Sequence, residues 1–75
     1  MKTAKELFNE LGFQGIESYY SIVYRYIGTD FDRGCTIYFY TALKEYEFVD
    51  ECTSTTVNMK LHKAITKQCE ELGWL

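Results

Sequence analysis

Cys35-Thr36-Ile37-Tyr38-Phe39-Tyr40 is the stretch whose reading decides the fold. Its β-branched and aromatic residues favour a pleated strand. A strand sends successive side chains to opposite faces, so Cys35, Ile37 and Phe39 share one face and Thr36, Tyr38 and Tyr40 the other. The first set is the more apolar and is expected to meet a helix layer; the second is then left on the far side. The strand is predicted over Cys35 to Ala42, with neighbours over Tyr20 to Ile27 and Lys44 to Asp50. Between the first two, Gly28-Thr29-Asp30-Phe31-Asp32-Arg33-Gly34 carries the strongest turn chemistry in the chain and predicts a hairpin loop.

Alternation sorts the flanking strands unequally. In the later one, Tyr46 and Phe48 oppose Glu45, Glu47 and Val49, and the aromatic pair is the core candidate. In the earlier one, Tyr20, Ile22, Tyr24 and Tyr26 alternate with Ser21, Val23, Arg25 and Ile27, and both sets are apolar enough that the pattern leaves the buried face open.

On either side of these strands the period changes from 2 to 3.6. Thr3-Ala4-Lys5-Glu6 is a capping box, in which hydroxyl and carboxylate each satisfy an amide at the start of a helix. Ala4, Leu7, Phe8 and Leu11 form its apolar stripe, and Gly12 stops it, with Phe13 able to fold back on Phe8. At the other end Asn58 is the expected N-cap, Leu61, Ala64, Ile65, Cys69 and Leu72 the stripe, and Gly73-Trp74 the stop. Glu70 and Glu71 lie at the unfavourable end of that helix dipole and read as solubilising charges. The predicted class is α+β in α-β-β-β-α order: an antiparallel sheet of three strands with two helices on one face, and a short fourth strand around Phe13 to Glu17 as the variant.

Seventy-five residues predict a single domain spanning 1–75. A chain of this size buries only about 60% of its unfolded surface, so stability is expected to be modest and self-association, as a homodimer, would add to it. Seven Tyr, five Phe and one Trp give the core enough ring area. The net charge of -3 offers no long-range attraction for phosphate backbones, which disfavours nucleic acid. No run approaches the roughly 20 apolar residues that span a bilayer, so a cytoplasmic location without membrane contact is expected. Cys35, Cys52 and Cys69 are odd in number and widely spaced, unlike a disulfide framework or a metal motif, and Cys35 and Cys69 read as small buried apolar residues.

No motif implies a cofactor or a metal. Asp30-Phe31-Asp32-Arg33-Gly34 opens like a calcium loop, but the sixth position would be Cys35 and the twelfth Thr41, where glycine and glutamate are required. His62 is the only histidine and stands between Lys60 and Lys63, with nothing to place a cysteine beside it. The expectation is that the chain is not an enzyme. Glu45, Glu47, Asp50 and Glu51 make an acidic edge that discourages strand-to-strand aggregation, and only weakly imitates nucleic acid. The tyrosines are more informative, because helices cover one side of a small sheet and rings on the other side suit protein contacts. Tyr38 and Tyr40, with Tyr24, Tyr26 and Arg25 from the preceding strand, are the candidate binding residues.

The opening Thr3-Ala4-Lys5-Glu6-Leu7-Phe8-Asn9-Glu10-Leu11-Gly12-Phe13 and the close Ala64-Ile65-Thr66-Lys67-Gln68-Cys69-Glu70-Glu71-Leu72-Gly73-Trp74 resemble short uncharacterised proteins of phages and prophages from low-G+C Gram-positive bacteria. The resemblance covers both ends and implies a cytoplasmic bacterial setting and an accessory role. The expected function is a non-enzymatic interaction module that binds a protein or a second copy of itself. The alternative is a regulator that binds or mimics nucleic acid.

Overall fold

The capping box at Thr3 forms as the sequence requires. Thr3 Oγ1 accepts from the Glu6 amide at 3.2 Å and Glu6 Oε1 accepts from the Thr3 amide at 3.2 Å. This computed structural model describes residues 2–27, 35–50 and 57–75. Helix α1 runs over Ala4–Glu10 and ends where Gly12 takes φ 93°. The chain then enters strand β1 (Phe13–Glu17), followed by β2 (Ser21–Tyr26), β3 (Cys35–Tyr40), β4 (Glu45–Asp50) and helix α2 (Met59–Glu71). The order is therefore α-β-β-β-β-α, and the short segment at Phe13 is a full fourth strand. Its pairing explains why: the Ile27 amide donates to the Gly12 carbonyl at 2.8 Å, and five residue pairs continue the ladder from Phe13↔Tyr26 to Glu17↔Ile22.

The four strands pair antiparallel in chain order, β1-β2-β3-β4. Each hydrogen-bonds to the strand that follows it, as short connections dictate. The Gly28 to Gly34 loop and the Asp30 to Gly34 calcium-like segment lie outside the described residues, as do Glu51 and Cys52. Helix α2 starts at Asn58, whose Oδ1 accepts from the Leu61 amide at 2.8 Å. It ends in a Schellman motif: Trp74 N–H donates to the Cys69 carbonyl at 2.9 Å, Gly73 N–H to that of Glu70 at 3.0 Å, and Gly73 takes φ 77°.

Both helices cover the same sheet face. Phe8 is fully buried, with its ring stacked on Tyr24 at 3.8 Å and edge-on to Phe13 and Phe39. From α2, Leu61, Ala64, Ile65 and Cys69 join Ile37 and Phe39 in the same core. Cys35 and Phe48 pack at its margin. Tyr46 shares this face and lies 5.6 Å from Phe39, yet stays half exposed because β4 is an edge strand.

The face of β2 that alternation left open is now assigned. Ile22, Tyr24 and Tyr26 point to the helices, which corrects the placing of Tyr24 and Tyr26 among the binding candidates. Tyr24 is 3% exposed, and Tyr26 packs against the core with its ring 5.4 Å from Phe13. Tyr24 fits because its cross-strand partner is Gly15, where a Cβ would lie 2.9 Å from the Tyr24 ring. Its hydroxyl donates to Gln68 Oε1 at 2.5 Å, which satisfies both polar groups inside the core. Glu71 also does more than solubilise: its Oε2 accepts from the Ala4 amide at 2.8 Å, which sets the carboxylate at the positive end of α1 and runs the two helices antiparallel.

Candidate binding surface

Cross-strand register places three rows on the side of the sheet away from the helices. They are Gln14, Arg25, Thr36 and Val49; Ile16, Val23, Tyr38 and Glu47; and Ser21, Tyr40 and Glu45. Thr36 is buried at the centre by its neighbours, while Val23, Tyr38 and Tyr40 are half-buried and Ile16 and Val49 are exposed. The result is a shallow aliphatic and aromatic surface with Arg25 at one corner and Glu45 and Glu47 along the β4 side.

The two tyrosines expected here act as a pair. Two residues apart on one strand, Tyr38 and Tyr40 hold their rings nearly parallel, with centroids 6.1 Å apart and planes within 6°. The Tyr40 hydroxyl donates to Glu47 Oε1 at 3.1 Å, and this bond to a carboxylate pushes the phenol pKa above its ordinary value. Glu47 thereby fixes the Tyr40 ring. Of the candidates from the preceding strand only Arg25 joins this face; Tyr24 and Tyr26 are on the other.

Among the described residues the most exposed aromatics lie at one end of the sheet. Tyr19 is 93% and Tyr20 76% exposed, in the turn between β1 and β2, and their rings are 5.4 Å apart. Leu43, 66% exposed, occupies the β3–β4 turn at the same end. The backbone beneath them is braced. Ser18 N–H donates to the Ser21 carbonyl at 2.9 Å and the two hydroxyls lie 3.0 Å apart. Thr41 links the two turns, donating to the Tyr20 carbonyl from its amide at 3.3 Å and from its hydroxyl at 3.1 Å. Sequence reasoning assigned Tyr20 to a strand and passed over Tyr19; the signal was the serine on each side of the pair, since Ser hydroxyls make local turn bonds.

The remaining chemistry is elsewhere. His62 is exposed on α2, and Cys69 is buried, which pushes its thiol pKa up and disfavours the thiolate a nucleophile needs. Among the described residues no group of three or more His, Cys, Asp or Glu is placed to hold a metal ion, and no helix is long and apolar enough to cross a membrane. No family model, curated protein or solved structure matches the chain.

Proposed function

We propose that this chain is a non-enzymatic binding module, cytoplasmic and accessory in role, that engages a protein partner through the open sheet face and the hairpin tip beside it. The observation that carries the reading is the exposure of Tyr19 and Tyr20 on a hydrogen-bonded turn next to the paired rings of Tyr38 and Tyr40. Rigid tyrosines offer large contact area at small entropic cost, and their hydroxyls tolerate water when unbound. Val23 and Ile16 supply the aliphatic centre of such a contact, and Arg25, Glu45 and Glu47 a polar rim. Nucleic acid is disfavoured on this surface: among the described residues of the open face Arg25 is the lone cation, and two glutamates oppose it.

The test is a pair of double variants, Y38S/Y40S and Y19S/Y20S, compared with the parent chain in sedimentation and in quantitative partner capture. Each should weaken association at least about tenfold, the loss expected for roughly 1.4 kcal/mol at a contact anchor. Circular dichroism should stay unchanged, since none of the four residues is in the core. Association that survives both variants would overturn the reading.

A further inference from the structure

The helix layer carries a second surface, separate from the sheet face. Because α1 and α2 run antiparallel, a groove lies between their outer sides, formed by two adjoining hollows of about 260 and 420 Å³ that share Leu7 and Lys63. Leu7 and Leu11 form the α1 side of its floor, one helical turn apart. On the α2 side Lys60, Lys63 and Lys67 stand at i, i+3 and i+7, one stripe along two turns, and Lys2 closes the far end. Glu10 and Glu70 also reach the groove, and Glu10 is ion-paired with Lys2 at 2.5 Å. Lys60 and Lys63 have no ion-pair partner among the described residues, and no acidic residue occupies the first turn of α2. The chain as a whole is acidic, with a net charge of -3, so this local excess of lysine runs against the composition.

We infer that this groove docks an acidic amphipathic helix of a partner protein, its leucine-type row on Leu7 and Leu11 and its carboxylates on Lys60 and Lys63. The charge complementarity is twofold. Carboxylates at i and i+3 of the partner match Lys60 and Lys63, and the one on Lys60 supplies negative charge beside the first turn of α2, where the helix dipole is positive. Two rows side by side, one apolar and one cationic, fit a helix better than an extended strand, whose side chains alternate between opposite faces.

A labelled helical peptide of about 14 residues, roughly 20 Å long, with a Leu row beside Glu at i and i+3, is the probe. Fluorescence polarisation should show saturable binding that weakens about tenfold between about 20 and 150 mM salt, and the same peptide with Lys for Glu should not bind. K60E/K63E should abolish binding. That variant places acid near the start of α2, so its melting temperature should be unchanged or higher, and a loss of binding cannot be ascribed to unfolding. Equal binding of both peptides, or binding that persists in K60E/K63E, would overturn the assignment. So would binding to phosphatidylglycerol vesicles without peptide binding, or a self-association of the parent chain that K60E/K63E removes, since each names a different occupant.

Discussion

Tyr24 is the residue on which the interior turns. Gly15 opposite leaves the room its ring occupies, Phe8 stacks on it from α1, and Gln68 of α2 accepts its hydroxyl proton. One side chain thus joins both helices to the sheet. Burial, followed by the nearby carboxylates of Glu71 and Glu17, pushes its pKa to about 12. The unfolded chain ionises this phenol near its ordinary value, so from that pH upward the unfolded state releases a proton that the folded state keeps. The stability associated with neutral Tyr24 is complete below pH 10 and declines as pH rises toward 12. Thermal melts across this range should show the decline, and Tyr24→Phe should flatten it. Cys69 and Tyr40, also shifted upward, contribute in the same direction, so the variant reduces the slope without removing it. At neutral pH Tyr24→Phe should cost about 1–2 kcal/mol, because Gln68 loses its buried donor. A variant as stable as the parent at pH 7 would mean that the bond contributes nothing.

At the level of single elements, the β3–β4 turn holds the one described non-glycine residue at positive φ, Lys44 at 55°. Its amide donates to the Tyr40 carbonyl at 3.0 Å, closing a four-residue loop over 41–44. A left-handed residue costs about 1–2 kcal/mol when it bears a Cβ, against about 0.5–1 for the extra chain entropy of glycine. Lys44→Gly should therefore raise stability by about 0.5–1 kcal/mol in urea titration, and a lower midpoint would refute the strain. The elements differ in how far the sequence disclosed them. Both helix stops and the parity of β3 were legible because Gly12, Gly73 and the Cys35, Ile37, Phe39 set act through local chemistry alone. The parity of β2 was not, since Ile22, Tyr24 and Tyr26 compete with Val23 and Ile27 on hydrophobicity. The burial of Tyr24 depends on Gly15, a partner on another strand that periodicity does not identify. The candidate surface was legible to the same extent: Tyr38 and Tyr40 followed from the parity of β3, Arg25 was separated from Tyr24 and Tyr26 only by the pairing of β2, and Tyr19 and Tyr20 required the turn geometry set by Ser18 and Thr41.

Across the whole molecule the two helices are fastened at a point 67 residues apart in sequence, where Glu71 accepts from the Ala4 amide. The favourable charge at the α1 N-terminus offsets the unfavourable position of Glu71 within α2. Glu71→Ala should lower stability by about 0.5–1 kcal/mol, less at high salt, and a stability independent of this side chain would show the contact to be incidental. Lysines line the helix groove, while Glu45 and Glu47 stand on β4 at the open face, so the proposed contact surfaces are chemically distinct and each variant pair tests one of them alone.

Trp74 is the only tryptophan, and its ring sits half-buried just past the end of α2, 6.2 Å from Phe39 of the central strand. The meander pairs neighbouring strands, but this ring reaches its place only when the C-terminal helix docks and brings Trp74 to Phe39, 35 residues earlier in the chain. Loop-closure entropy makes such distant contacts slow to form relative to hairpins. Indole emission in a stopped-flow refolding experiment therefore reports the late docking step by itself, with no label attached and no residue replaced.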